Sequence, residues 1–289
     1  MSSSSVGYET SIILAGGQGS RFGELGALLP KCLLSIYDQP VLFRQIKLCA
    51  LAGARRVVVS IAERYGDLLE AVLALYTPPP GVTVECVREQ RPLGAPKGLS
   101  VLAPLVRGSG CLVMLGDAYF ASDAPFRALG AASRSEQMVV AITRDSHPSR
   151  IACNVVLTDA GEVERINEKP KPADLVGGAR WSCFCALQAG VLDRAGELLE
   201  SGRMPIPYIG DLFEGFRREG VTTGTIDVPE LEMNVNTVDD LVVATLFEAR
   251  RAALSAPEKL SALESALIPL LRNYGVELDQ CAGADVPSR

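Results

Sequence analysis

Short apolar runs and stretches of helical spacing alternate along the first half of the chain. Ser11-Ile-Ile-Leu-Ala15 predicts a strand, Val41 to Ala52 a helix, Arg56 to Ile61 a strand and Gly66 to Leu75 a helix. Val82 to Arg88 predicts the next strand, Gly98 to Leu105 a helix and Cys111 to Leu115 a buried strand. That alternation implies an α/β fold with a mostly parallel sheet covered on both faces. Ligands of such sheets bind beyond the carboxyl ends of the strands, so candidate chemistry is sought in the residues that follow each strand.

The second half changes pattern. Gln137 to Thr143 and Ile151 to Thr158 predict strands, and the turn Asp159-Ala-Gly161 leads to a return strand over Val163 to Asn167, a hairpin placed to act as a lid. Beyond Asp239 the spacing is helical, interrupted at Pro257 and Pro269, and the chain ends in a polar stretch from Ala282. Leu260, Leu263, Leu267 and Leu270 or Leu271 keep helical spacing, which packing on the chain's own domain or on a second subunit explains equally well. The expected division is a main domain over 8–248 and a helical extension over 249–289.

Composition narrows the function classes. Hydrophobic residues make up 48% and charged residues 21% of 289, enough for a large core and outside the disordered range. A net charge of −6 argues against a nucleic-acid partner, so an anionic substrate must be caught locally. Met1-Ser-Ser-Ser-Ser5 opens no basic, apolar leader, and no run reaches the ~20 residues of a membrane span, so a cytoplasmic protein is expected. The eight cysteines form no CxxC pair and sit mostly in apolar runs, as buried thiols do. The one histidine, His147, lies in a turn-forming Asp-Ser-His-Pro segment, which leaves a Ser-His-Asp hydrolase or a histidine-bound zinc poorly supported.

The strongest local signal is Leu14-Ala15-Gly16-Gly17-Gln18-Gly19-Ser20-Arg21, a glycine-rich loop directly after the first strand, followed by Pro30-Lys31. Glycines let backbone N–H groups approach a triphosphate, while Arg21 and Lys31 bring positive charge to a breaking phosphate bond. A dinucleotide-binding turn would need GxGxxG and an acidic residue about twenty positions on, and the chain does not supply that spacing.

Together with Pro30-Lys31-Cys-Leu-Leu-Ser-Ile-Tyr-Asp-Gln-Pro40, that loop resembles the N-terminal signature of the sugar nucleotidyltransferase family, the nucleotide-sugar pyrophosphorylases. Arg91-Pro-Leu-Gly94, Leu115-Gly-Asp117, Pro148-Ser-Arg150, Asn167-Glu-Lys-Pro170 and Asn234-Val-Asn-Thr237 extend the likeness in order over roughly residues 10 to 248. The resemblance implies a Rossmann-like three-layer sandwich with a mostly parallel mixed sheet and a helical C-terminal tail. It implies an enzyme that joins a nucleoside monophosphate from an NTP to a phosphorylated small molecule and releases pyrophosphate. Residue by residue it makes Arg21, Lys31, Asp117 and Lys169 catalytic. Leu14, Ala15, Gly16, Gly17, Gly19, Ser20, Arg21, Glu89, Gly94 and Ala95 would bind the nucleotide. Asp117 and Asn236 would hold Mg2+, and Asp117, Ala152, Glu168, Lys169, Trp181 and Cys183 would meet the acceptor.

Each assignment has a plainer counterpart. Asp117 after a strand is also ordinary turn chemistry, Asn236-Thr237 could cap the next helix, and Glu168-Lys169 could be a solvated hairpin pair. Glu89 accepts hydrogen bonds only, which suits the adjacent N1–H and N2–H donors of guanine and favours GTP, with CTP as the rival. The chain also departs from the family at Gly94-Ala-Pro-Lys-Gly98, at Ala152 and at Trp181-Ser-Cys183, where the family's Asn-x-Gly strand meets the sugar. A rebuilt acceptor pocket follows, open to a heptose, cyclitol, amino-alcohol or phosphonate as well as a hexose phosphate. A regulatory module that binds nucleotide without turnover is the competing class.

Overall fold

The structure is a computed structural model that describes residues 8–17, 19–91, 93–131, 135–144, 152–171, 175 and 178–254. His147, the Pro148-Ser-Arg150 motif, Ile151, Cys281 and the expected helices beyond 254 lie outside the described residues.

Four runs in the first half are apolar on both faces or half-covered: β1 (Thr10–Leu14), β4 (Arg56–Ala62), β5 (Thr83–Glu89) and β6 (Cys111–Leu115). Val57, Val58, Val59 and Ile61 are fully buried, which fits β4 for an interior position between helical layers. These strands pair in parallel in the order β5-β4-β1-β6. Between β1 and β4 come a 3-10 turn at Ser20–Phe22, α1 (Gly23–Leu28), a 3-10 turn at Lys31–Leu33, the short pair β2 (Ser35–Ile36) and β3 (Gln39–Pro40), and α2 (Val41–Leu51). The crossovers onward are α3 (Gly66–Leu75) and α4 (Ala95–Leu102). The sequence pattern started the latter helix at Gly98; it begins at Ala95 because Pro96 is tolerated in a first turn, where its missing N–H would have no helical acceptor.

After β6 come β7 (Ala118–Phe120), α5 (Ala124–Ala131), β8 (Met138–Thr143), β9 (Cys153–Leu157), β10 (Val163–Glu168) and β11 (Gly178–Leu187). Then follow α6 (Ala195–Ser201), α7 (Ile209–Arg218), β12 (Thr223–Asp227), β13 (Glu232–Asn234) and α8 (Val238–Ala253). β11 runs antiparallel to β6, β8 and β9, and completes a mixed nine-stranded sheet. The β9–β10 hairpin is not a lid. Its first strand pairs with Gly178 to Arg180, so the hairpin continues the sheet edge, and main-chain pairing outcompetes a loose flap.

Two apolar cores flank the sheet. One holds Leu42, Ile46, Phe126 and Phe184 under α2 and α5; the other holds Leu99, Leu198, Phe213 and Trp181 under α4, α6 and α7. A third, smaller core seats α8 through Val243, Ala244 and Phe247 on Tyr119 and Val235. A polar knot reinforces that seat: the Tyr119 hydroxyl donates to Glu248 Oε1 at 2.6 Å, and Arg44 and Arg251 reach the same oxygen at 3.0 and 3.2 Å. α8 runs through position 248 with Phe247, Glu248 and Arg250 buried.

Phe184 is fully buried and touches Phe126 and Phe120 at ring-centroid distances of 4.6 and 5.5 Å. Phe184→Ala should cost about 3–5 kcal/mol, seen as a lower urea midpoint at unchanged slope.

Candidate functional site

The parallel register sets Leu14 of β1 beside Ser60 of β4 and Leu115 of β6, so β1 and β6 end level while β4 runs on to Ala62. There, Ala15 N–H donates to the Ser60 carbonyl and Gly116 N–H to the Leu14 carbonyl, both at 2.8 Å. The glycine-rich loop therefore leaves the sheet clamped on both sides. A Cβ on Gly116 would lie 2.8 Å from Ala15 Cα, too close for any side chain. Beyond the clamp the loop passes Gly16, Gly17 and Gly19 into the turn at Ser20–Phe22, which leaves Arg21 exposed.

Glu89, at the end of β5, lies against this loop. A Cβ on Gly16 would come within 3.1 Å of both Glu89 carboxylate oxygens, so any larger residue there would press on that side chain. The Ser60 hydroxyl donates to Glu89 Oε1. Gly94 precedes α4, whose first turn begins at Ala95 and whose Gly98 also faces Glu89. Ser60, Glu89, Arg91, Leu93 and Gly98 line a pocket of about 260 Å³.

Across the loop, Asp117 follows β6. Lys31 Nζ lies 3.0 Å from Asp117 Oδ2 and 2.6 Å from Asn236 Oδ1, and so joins residues far apart in the chain. Asn236 is delivered by β13, which pairs with β7, and by the bond from Val235 N–H to the Asp117 carbonyl at 2.8 Å. Capping of α8 falls to its neighbours: Thr237 and Asp240 exchange side-chain and backbone bonds, which leaves the Asn236 amide oxygen to Lys31. One cation thus already sits between two hard oxygens. One carboxylate and one amide suit Mg2+, which keeps several waters; among the described residues no cluster of three acidic, histidine or cysteine side chains offers a fuller cage.

The acceptor side is shaped by β11. Its ladder to β8 slips between Trp181 and Cys185, and in that bulge Cys183 takes a left-handed φ of 59°. Such a conformation costs a non-glycine residue about 1–2 kcal/mol. Local bonds hold it: Trp181 Nε1 donates to the Phe184 carbonyl at 2.9 Å, Thr143 and Ser182 hydroxyls meet at 2.7 Å, and the Cys183 thiol donates to Asn234 Oδ1 at 2.8 Å. Burial first, then the Glu232 carboxylate, pushes the Cys183 thiol well above its usual range, so it stays protonated. Trp181 faces the opposite way, edge-on to Phe213, and is buried in the core. The structure thus places Trp181 in the core on the face away from Cys183, because the bulge breaks the alternation that would have put the two side chains together. Arg180 Nη1 meets the fully buried Glu232 carboxylate at 2.5 Å.

Glu168 and Lys169 gather at the start of α7. Glu168 Oε2 accepts from Gly210 N–H at 3.1 Å, the Lys169 ammonium stands 3.8 Å over the Tyr208 ring, and Lys169 N–H donates to the Ala152 carbonyl at 2.7 Å. Burial raises the Glu168 pKa, and the Gly210 N–H partly offsets it. Lys169 also has a left-handed φ, of 47°.

A family model described as nucleotidyl transferase matches residues 10–209. The chain belongs to the nucleotidyl transferase family. It is 30% identical over 186 residues to probable mannose-1-phosphate guanylyltransferase 2 of Oryza sativa subsp. japonica, covering 63% of this chain and 51% of that protein. It is 24% identical over 162 residues to mannose-1-phosphate guanyltransferase beta-A of Xenopus laevis, covering 55% and 45%. The chain thus spans about half the length of these relatives. In fold it is similar to a Bacillus anthracis protein described as a glucose-1-phosphate thymidylyltransferase, solved with a sucrose, at TM-score 0.69 and 20% identity over 82% of this chain and 94% of that one. It is also similar to the inositol-1-phosphate CTP transferase of T. maritima, at TM-score 0.64 and 20% identity over 80% and 91%.

Within this nucleotidyl transferase fold, the structure draws Lys31, Asp117 and Asn236 into contact and sets Glu89 on the glycine-rich loop. Glu168 and Lys169 form a separate group on α7. Sequence reasoning passed over Ser60, Asn234, the Arg180–Glu232 pair and Gln45, whose Nε2 donates to the Leu115 and Ala118 carbonyls at 2.7 and 2.8 Å. A glutamine among Leu42, Ile46 and Cys49 on a buried helix face was the one available signal.

Because its folded pKa is raised, Glu168 holds a proton in the folded state over a pH window where the unfolded chain has lost it. Its contribution to stability therefore improves as pH falls through the raised value and levels off below the ordinary 4.5. Glu168→Gln should be more stable relative to wild type at pH 7 than at pH 4.5, by urea unfolding at each pH. Asp211, Lys169 and Cys153 face the group in both proteins and largely cancel.

Proposed function

We propose that this chain transfers a nucleoside monophosphate from an NTP, with GTP favoured, to a sugar 1-phosphate or related phosphorylated small molecule. The observation that carries the proposal is the contact of Lys31 with both Asp117 and Asn236 beside a loop built for phosphate. An oxygen of the acceptor phosphate attacks the NTP α-phosphorus; a new P–O bond forms, the α–β bridging bond breaks, and its electron pair leaves with pyrophosphate. The acceptor oxygen is already ionised at neutral pH, so no general base is needed. Asp117 and Asn236 would hold Mg2+, which when bound would supply positive charge against the phosphates. Lys31 and Arg21 add fixed positive charge at the developing negative charge.

Glu89 supports the choice of base, since its carboxylate can accept from both guanine donors while Ser60 fixes its orientation. Similarity to two mannose-1-phosphate guanylyltransferases points the same way. Cys183, standing where the family's Asn-x-Gly strand has its glycine, supports an acceptor that differs from a plain hexose phosphate. Free thiols at all seven described cysteines fit a reducing, cytoplasmic setting.

Asp117→Asn or Lys31→Ala should lower kcat by roughly 100-fold or more, read as pyrophosphate release, with circular dichroism unchanged. Near wild-type turnover in either folded variant would refute the catalytic assignment. For the base, wild type should prefer GTP among the four NTPs, and Glu89→Gln should narrow that preference about tenfold against a pyrimidine donor in kcat/KM. A wild type that prefers CTP or UTP would remove Glu89 from base reading.

A further inference from the structure

We propose that Gln45 is a positioning residue for Asp117, holding the turn that presents its carboxylate. Gln45 lies on α2, 1% exposed, on a face that is otherwise apolar. Burying an amide there is unfavourable unless its hydrogens find acceptors. Both hydrogens do: Nε2 donates to the Leu115 carbonyl at 2.7 Å and to the Ala118 carbonyl at 2.8 Å. Those two carbonyls bracket Gly116 and Asp117, where β6 ends and β7 begins.

Main-chain bonds and the Lys31–Asp117 contact hold the rest of that turn. Gly116 N–H donates to the Leu14 carbonyl and the Asp117 carbonyl accepts from Val235 N–H, both at 2.8 Å. Gln45 closes the remaining freedom by drawing the two flanking carbonyls onto one nitrogen, which sets the direction in which Asp117 leaves the sheet. An apolar residue would fill the same space but leave two carbonyls without that donor. The Gln45 Oε1 atom, buried and without a hydrogen-bond partner among the described residues, shows that polarity is kept here at a cost that packing alone does not require. The functional gain is geometric: a displacement of ~1 Å at a catalytic group can cost on the order of 100-fold in rate.

The proposal rests on the reading of Asp117 as the carboxylate that meets metal and substrate, and the test separates the two. Full-length wild type, Gln45→Leu, Asp117→Asn and the double variant are compared for binding of Mn2+·GTP by water-proton relaxation enhancement, for kcat and acceptor KM, and for thermal melting. Gln45→Leu should weaken Mn2+·GTP binding and lower kcat, each about tenfold or more, with acceptor KM changed less than about twofold. The double variant should be no worse than Asp117→Asn alone, because Gln45 acts through that carboxylate. A lowered melting temperature with wild-type Mn2+·GTP binding and kcat would reduce Gln45 to a packing residue and overturn the proposal, as would additive losses in the double variant. Should Gln45→Leu fail to fold, Gln45→Met keeps a similar unbranched volume with no proton to donate, and the same readouts decide. Unaltered Mn2+·GTP binding in Asp117→Asn would bring down the reading of Asp117 itself, and this proposal with it.

Discussion

Two backbone hydrogen bonds set the scale of the whole site: Ala15 N–H to the Ser60 carbonyl and Gly116 N–H to the Leu14 carbonyl. They follow from the parallel pairing of β1 with β4 and β6, which sets Leu14 beside Ser60 and Leu115 while β4 runs on to Ala62. The glycine-rich loop and Asp117 leave the ends of β1 and β6, and Glu89 ends β5 opposite Ala62 of β4. A slip in either ladder would move the loop relative to the carboxylates and turn buried side chains of β1 toward the wrong layer. The clamp requires Gly116, since the loop passes too near for any side chain at that position.

The far side of the site is built on a different principle. Where the parallel strands present their ends passively, antiparallel β11 must place side chains by interrupting its own ladder. The bulge forces Cys183 into a left-handed backbone, and neighbouring hydrogen bonds offset the strain. The same bulge separates the roles of adjacent residues, with Trp181 anchoring the strand against α7 while Arg180 pairs with buried Glu232. The start of α7 acts as a third support by drawing Glu168 to its free N–H groups, favourable ground for a carboxylate.

Much of the first half was legible because it obeys simple periodicity. Val57-Val58-Val59 can belong only to an interior strand, and Lys31 and Asp117 announce themselves by position after a loop and a strand. The hairpin at 153–168 misled because a two-residue alternation fixes a strand without naming its partner, and here the partner was the sheet edge. Trp181 misled for a related reason, since a bulge resets which residues share a face and carries no compositional mark. Gln45 was hidden in a helix whose spacing is otherwise purely apolar. Asn236 was legible as a residue type, yet only the bond from Thr237 to Asp240 shows that its side chain is spared from capping.

The knot of Tyr119, Arg44, Arg251 and Glu248 has a consequence for the order in which the protein comes into being. The strand that follows Asp117 is locked only when Glu248 docks, 129 positions later, and Lys31 waits 205 positions for Asn236. Contacts this distant form late in folding, after loop-closure entropy has been overcome. On the ribosome the nucleotide loop and its carboxylates therefore emerge long before they can be fastened together. The nascent chain carries Lys31 and Asp117 while remaining unable to fasten them to Asn236 until β13 and the start of α8 have been made.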